Sequence, residues 1–229
     1  MKRLLISIVL ASTMFSVGAM AQSAKFAASW DTDPVVATAY SECADSVCDP
    51  KEENTKADVE MATLHVGSKK SILVGVSSEI GIWMLTQAKG GRKADGDFWS
   101  SAMAEGSVDV TLSLVATNGE TCAIAPDNSV TLKSEMRKLT VAGGGSFADL
   151  TDTFWIDVAI DTESIGAHHF EFLGVECAQG DYKLTATFDL TAIAEAAGVS
   201  STAYVVVTLG DRMITLQEVR AVKGSLIED

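Results

Sequence analysis

The sequence has 229 residues, of which 47% are hydrophobic and 21% charged, and its 31 acidic residues outnumber the 17 basic ones to give a formal net charge of −14 at pH 7. A surface this acidic repels nucleic acid and anionic membranes, so we expect neither as a partner. The length allows one large domain or two small ones, each with a full core.

The first 24 residues read MKRLLISIVLASTMFSVGAMAQSA. A basic start, an apolar run from residue 4 to 10 and the small-residue pattern at 19–21 predict a secretory signal peptide, residues 1–21, cleaved before Gln22. The alternative is a membrane anchor, but serines and a threonine interrupt the apolar run and leave it short for a span. We therefore expect an exported domain at 22–229, periplasmic or extracellular, with no transmembrane segment. Loss of Lys2 and Arg3 takes its net charge from −14 to −16.

All four cysteines, Cys43, Cys48, Cys122 and Cys177, lie behind the predicted leader. Four cysteines in an exported chain predict two disulfides in an oxidising compartment, with three pairings open. We favour Cys43–Cys48, which closes a small loop, together with Cys122–Cys177, which ties distant strands. A metal site is the rival interpretation, but no CxxC pair is present.

Period-2 alternation of apolar and polar residues is the main structural signal, since successive strand residues point to opposite faces. It predicts strands at residues 25–30, 59–66, 72–86, 108–116, 130–141, 182–190, 204–209 and 212–222, with further ones around Cys122 and within 154–178. The 72–86 strand is long, so we expect a kink that lets it serve two sheets. Gly75 and Gly81 occupy its less apolar face, where a bulge, a bend or a close backbone approach is expected.

Turn residues and composition predict the connections between these strands. Residues 31–58, 89–104 and 143–152 are interpreted as loops, the last one glycine-rich. Turns are expected at Asn118-Gly119, near Gly166, at 179–181 and at Gly210-Asp211. The alanine-rich stretch 191–198 is the best candidate for a helix, of one or two turns.

Many short strands with almost no helix predict an all-β fold, a single antiparallel β-sandwich of Greek-key or jelly-roll type with about ten strands and at most one short helix. A membrane barrel shows the same alternation, but sparse aromatic residues and long polar loops favour the sandwich. In its leader, alternation and turn punctuation the chain resembles secreted bacterial β-sandwich proteins, a likeness that assigns no functional residues.

No catalytic set is evident in the sequence. His168 and His169 are adjacent in a strand pattern, so their rings face opposite sides and cannot readily bind one metal. A serine hydrolase needs a nucleophile on a sharp turn, but GxSxG is absent and Ser77-Ser78 lies inside a strand pattern. The glycines at 143–145 have no following lysine or helix of a phosphate loop.

Two groups of residues are weaker binding candidates. Acidic residues crowd two predicted loops, which makes calcium a candidate cofactor because calcium prefers several oxygen ligands from such loops; these calcium candidates are Asp31, Asp33, Asp95 and Asp97. Aromatic residues in exposed positions form a candidate ligand face that could stack on sugars or anchor a protein; these are Trp83, Phe98 and Trp99.

We therefore expect an exported, non-catalytic binding or interaction module with a protein or glycan partner. One alternative is a structural subunit of a surface filament, of pilin or adhesin type, assembled by strand exchange. Another is a carboxylate- or calcium-dependent hydrolase that acts on envelope or extracellular polymers.

Overall fold

A computed structural model describes residues 26–61, 63–67, 70–93, 96–142 and 154–219. These residues form an all-β structure without a helix. The predicted leader and the whole of the predicted loop at 143–152 lie outside them. The strands are β1 Phe26–Asp31, β2 Val35–Ala44, β3 Val47–Cys48, β4 Lys51–Glu60, β5 Leu64–Val66, β6 Lys70–Lys93, β7 Gly96–Ala116, β8 Ala123–Ala125, β9 Ser129–Ala142, β10 Phe154–Cys177, β11 Gly180–Gly198 and β12 Ser200–Val219.

Every pairing between these strands is antiparallel, and together they make one sheet curled into a half-barrel. Its front wall contains β1, β2 and β3 beside β12, followed by β6, β10 and β8. Its back wall contains β4 and β5 beside β11, followed by β7 and β9. The walls join where residues 91–93 of β6 pair with residues 96–98 of β7. The strand predicted at 72–86 lies inside β6, but those residues pair only with β10 and β12 of the front wall, and the connection to the back wall is made further along β6, within the predicted loop at 89–104.

The core lies between the inner faces of the two walls. Its largest fully buried side chains include Tyr182, Phe172 and Phe188. The walls approach closely: a Cβ on Gly106 of β7 would lie 2.8 Å from Val207 of β12. The alternation predicted from sequence thus sorts apolar residues to the inside, as expected for strands with one dry face.

Several predicted breaks are wrong, because long strands continue through them. Gly166 pairs with Ile80 inside β10, so the chain does not turn there. At Gly210-Asp211 the chain stays in β12, and only the register with β6 shifts. Gly166 is held extended by its pairing with β6, and Gly210 by the paired residues before and after it in β12, which outweighs the local preference of glycine for a turn.

The predicted loops at 31–58 and 89–104 and the predicted helix at 191–198 are also wrong. The first loop contains β2, β3 and most of β4, and the second contains the end of β6 and the start of β7. The alanine-rich stretch belongs to β11, where Ala192, Ala194 and Ala196 point into the core. The neighbouring strand β7 is equally small here, since Gly106 pairs with Ala192 and Ala104 pairs with Ala194. Twelve strands are present among the described residues, against about ten expected.

Both favoured disulfide pairings are confirmed. Cys43 bonds Cys48 across the β2–β3 hairpin, and Cys122 bonds Cys177 at the end of β10. Two disulfides fit an oxidising, exported environment. Within the described ranges, the chain offers no long apolar helix that could cross a membrane.

Candidate functional site

The outer surface of the front wall is unusually apolar. Strand register places large, exposed hydrophobic side chains from five strands on this one surface, which we call the front face; they are Phe26, Trp30, Val36, Tyr40, Trp83, Ile165 and Met213. Extended exposed apolar surface on a soluble protein commonly marks a site of interaction.

The opposite surface, on the outer side of the back wall, is mainly polar, with Trp99, Val115 and Met136 as its exposed large hydrophobic residues. Cross-strand hydrogen bonds cover it, for example from Thr187 to Asp58 at 2.6 Å and from Thr131 to Asp109 at 2.5 Å. Ion pairs such as Lys56–Asp189 at 2.7 Å add to them. Threonines and charges at these positions make a solvated exterior, so the two outer surfaces differ in chemical character.

Three aromatic rings cross the front face and form what we call the aromatic row: Tyr40 on β2, Tyr204 on β12 and Trp83 on β6. Ring centroids of Tyr40 and Tyr204 lie 6.4 Å apart, and those of Tyr204 and Trp83 lie 5.0 Å apart, both edge to face. Such pairs hold each ring in a defined orientation. Tyr40 is 48% exposed and Trp83 37%, so the row presents ring surface to solvent.

Carboxylates fix the polar ends of the row. Trp83 donates its Nε1–H to Asp161 of β10 at 2.5 Å, and Tyr40 donates its hydroxyl to Glu42 at 2.7 Å. The hydrogen bond to Glu42 raises the pKa of the Tyr40 hydroxyl above its ordinary value near 10. The rings are therefore oriented before any ligand arrives.

A shallow depression of about 270 Å³ lies beside Trp83. Residue 81, which lines this depression, is a glycine, so no side chain fills the space there. A Cβ at this position would clash with the hydroxyl of Thr208, at a distance of 2.5 Å. Ile165 and Val206 supply apolar sides, and Glu163 supplies a carboxylate. The close approach expected at Gly75 and Gly81 is thus made by cross-strand threonine side chains, Thr215 and Thr208, instead of another backbone.

A larger cleft of about 490 Å³ lies further along the front face, between Trp30 and His169. Ser77 and His169 face each other across β6 and β10, with 2.7 Å between Oγ and Nδ1. His169 Nε2 lies 3.6 Å from Glu171. The three residue types are those of a hydrolytic triad, but Ser77 sits inside a strand paired on both sides, whereas an activated serine needs an exposed turn and nearby N–H donors for the oxyanion.

The calcium candidates Asp31 and Asp33 have other contacts. Asp31 accepts hydrogen bonds from the Asp33 backbone N–H at 3.0 Å and from the guanidinium of Arg212. The Asp33 N–H, followed by Arg212, lowers the pKa of the Asp31 carboxyl. Asp95 and the side chain of Asp97 lie outside the described residues. Within the part of the chain that is described, no three His, Cys, Asp or Glu side chains converge in a way that could hold a metal.

The aromatic residues of the predicted ligand face fall in two places. Trp83 lies in the aromatic row, whereas Phe98 and Trp99 lie at the start of β7, and Phe98 pairs with Gly91. Gly91 is eight residues along β6 from Trp83, or about 25 Å at the rise of a strand. Sequence reasoning missed Tyr40 because this residue fell in a predicted loop. It also missed Tyr204, although the alternation of Tyr204 with buried Val205 indicates that the tyrosine points outward.

A comparison with protein families finds no match, and neither does a comparison with curated proteins. Among solved structures, infectious bursal disease virus Gt strain aligns at a TM-score of 0.12 and 12% identity, over 86% of this chain and 44% of that one. The Gx strain of the same virus aligns at 0.10 and 11%, over 82% and 42%. These alignments are too weak to carry an argument about fold or function.

Proposed function

We propose that this chain is an exported, non-catalytic binding module, built as a β-sandwich, that holds a glycan against its front face in the periplasm or outside the cell. The observation that carries the proposal is the aromatic row with its flanking carboxylates, set on an apolar wall whose counterpart is polar. The paired disulfides support export.

The chemistry of the row suits a sugar. The C–H face of a pyranose packs on an aromatic ring, while its hydroxyls need hydrogen-bond acceptors close by. Trp83 offers the ring, and Glu163 at the edge of the depression and Asp161 beside the indole offer carboxylate oxygens. A net charge of −14 repels polyanions, so we expect a neutral or cationic glycan.

Binding is favoured over hydrolysis because the polar groups of the front face hold one another in place. The carboxylate of Asp161 accepts from Trp83, and His169 contacts Ser77. Side chains held by such contacts keep one orientation, so less side-chain entropy is lost when a ligand binds.

The test is isothermal titration of the protein with soluble cello-, xylo- and chito-oligosaccharides and with chitosan fragments, with heparin as a polyanionic comparison. We expect binding in the neutral or cationic set and none to heparin. Trp83→Ala should weaken that binding about 5- to 150-fold, since a stacked ring contributes on the order of 1–3 kcal/mol.

Trp99→Ala is the matched control, since Trp99 is an exposed tryptophan on the other wall. It should leave the affinity unchanged. The proposal is wrong if the wild-type protein binds none of these sugars, or if both tryptophan variants lose affinity equally. Circular dichroism of each variant would show that the fold is intact.

A further inference from the structure

Among the described residues, strand β10 has a long edge without a partner strand. It pairs with β6 along one side, and on its other side residues 173–175 pair with β8. For residues 154–172 the described part of the structure contains no strand on that second side. Exposed edges of this length are uncommon, because their free N–H and C=O groups recruit other strands.

This edge carries four carboxylates but lacks lysine, arginine and proline, residues that commonly protect an edge against pairing. Residues 154–172 read FWIDVAIDTESIGAHHFEF, without proline, lysine or arginine. Ile156, Ile160 and Ile165 are 51%, 39% and 62% exposed. Lys133 of β9 donates to the carbonyl oxygen of Ser164 at 2.9 Å and to that of Ile80 on β6 at 3.4 Å, so this contact lies over the β6–β10 pair. Natural proteins normally blunt an edge with charges, prolines or bulges.

We propose that the β10 edge pairs with the β10 edge of a second copy of this chain, antiparallel about a two-fold axis at Ile165. Such an axis, perpendicular to the sheet, joins the two front walls into one continuous sheet and keeps both front faces on the same side. Paired residues then point to the same side of the sheet, so the numbers of each directly opposed pair add to 330.

The charge pattern of the strand selects this register. Three of its four acids, Asp157, Asp161 and Glu163, precede its histidines, so antiparallel pairing can set acid against histidine. With the axis at Ile165, Asp161 of one protomer lies opposite His169 of its partner, twice by symmetry. The same register sets Ile160 opposite Phe170. An acid directly opposite a histidine supports pairing.

Shifting the axis brings like charges together. An axis at Gly166 sets Asp161 opposite Glu171, and an axis at Ser164 sets Asp157 opposite Glu171. With the axis at Ile165, Glu163 faces Ala167 and Glu171 faces Ala159, so the carboxylates of the strand avoid one another. Like charges directly opposite are destabilising, so the register at Ile165 is preferred.

The consequence for function is a doubled binding surface. Two front faces side by side would bind a repeating polymer with a higher apparent affinity than one face alone. The pairing itself does not depend on the proposed glycan, because the aromatic row lies beside the edge and contributes no backbone group to it.

The test uses the whole exported protein with its disulfides. Sedimentation across micromolar to millimolar concentrations should show the mass doubling as concentration rises. His169→Glu, which places a new acid opposite Asp161, should keep the protein monomeric. Trp83→Ala should dimerise like the wild type, which separates this proposal from glycan binding.

Cysteine cross-linking tests the register. Ile165→Cys meets its own copy at the axis, where opposed Cβ atoms lie about 5 Å apart, so mild oxidation should give a covalent dimer. Ala167→Cys is the matched control, because its copies are four residues out of register, about 13 Å apart. Ile165 and Ala167 are both exposed, so neither change should disturb folding. A monomer at every concentration, or equal cross-linking at the two positions, would overturn the proposal.

Discussion

Gly106 offers the sharpest test of how the two walls pack. It lies on the inner face of β7, where a Cβ would lie 2.8 Å from a methyl of Val207 and 2.9 Å from a methyl of Ile82. Both neighbours are buried, Val207 fully and Ile82 to within 1%. Gly106→Ala therefore forces two core side chains on the opposite wall to move.

The magnitude follows from two opposing effects. Overpacking a core costs about 1–3 kcal/mol. Replacing a glycine within a strand by alanine otherwise gains about 0.5–1 kcal/mol in backbone entropy. We therefore expect the free energy of unfolding to fall by about 0.5–2 kcal/mol. Gly180→Ala is the control, because its nearest neighbour, the Cβ of Ala116, would be 3.9 Å away. That change should be neutral or stabilise by up to about 1 kcal/mol.

Urea unfolding with the disulfides intact measures both variants on one scale. The midpoint of Gly106→Ala should lie below that of the wild type, and the midpoint of Gly180→Ala at or above it. If Gly106→Ala unfolds at the same urea concentration as Gly180→Ala, β7 does not pack against β6 and β12, and the described core is wrong.

Two further stability predictions follow from the disulfides and from the Asp31 contact. Replacing both members of Cys122–Cys177 by serine should lower the free energy of unfolding by about 4 kcal/mol, and the same change at Cys43–Cys48 should lower it by about 2 kcal/mol. The first loss is larger because that disulfide closes the longer loop, with a sequence separation of 55 against 5. Equal losses in urea unfolding would contradict this. Asp31 has a lowered pKa in the folded chain, so it stabilises the fold above its ordinary value near 3.9 and this contribution disappears as pH falls through the lowered value. Asp31→Asn should therefore be less stable than the wild type at pH 7, with the difference shrinking as the pH is lowered below about 3.9, and a deficit independent of pH would count against the assignment.

Local alternation predicted much of the fold. Strands expected at 108–116, 130–141 and 182–190 lie inside β7, β9 and β11. The two favoured disulfides formed because both pairs lie on neighbouring strands or at strand ends. These predictions succeeded because they rest on a two-residue period and on loop closure, which the sequence carries directly.

Local turn signals predicted the remaining elements poorly. Gly166, Gly210 and the alanine-rich stretch at 191–198 look like a turn, a turn and a helix when read alone. In the structure each one lies in a long strand, held by partners far away in sequence. The aromatic row was hidden for the same reason, since Tyr40, Trp83 and Tyr204 come from three separate parts of the chain.

The sequence alone determined that the chain is made of strands with one apolar side and that its cysteines pair as two disulfides. Only the tertiary structure decided which strands are neighbours, and so which outward side chains form the front face and which edge of β10 has no partner strand in the described part of the chain. The physical reason is one of range: the alternation of side chains is a property of the extended backbone itself, whereas strand neighbours are set by hydrogen bonds and packing between residues distant in sequence.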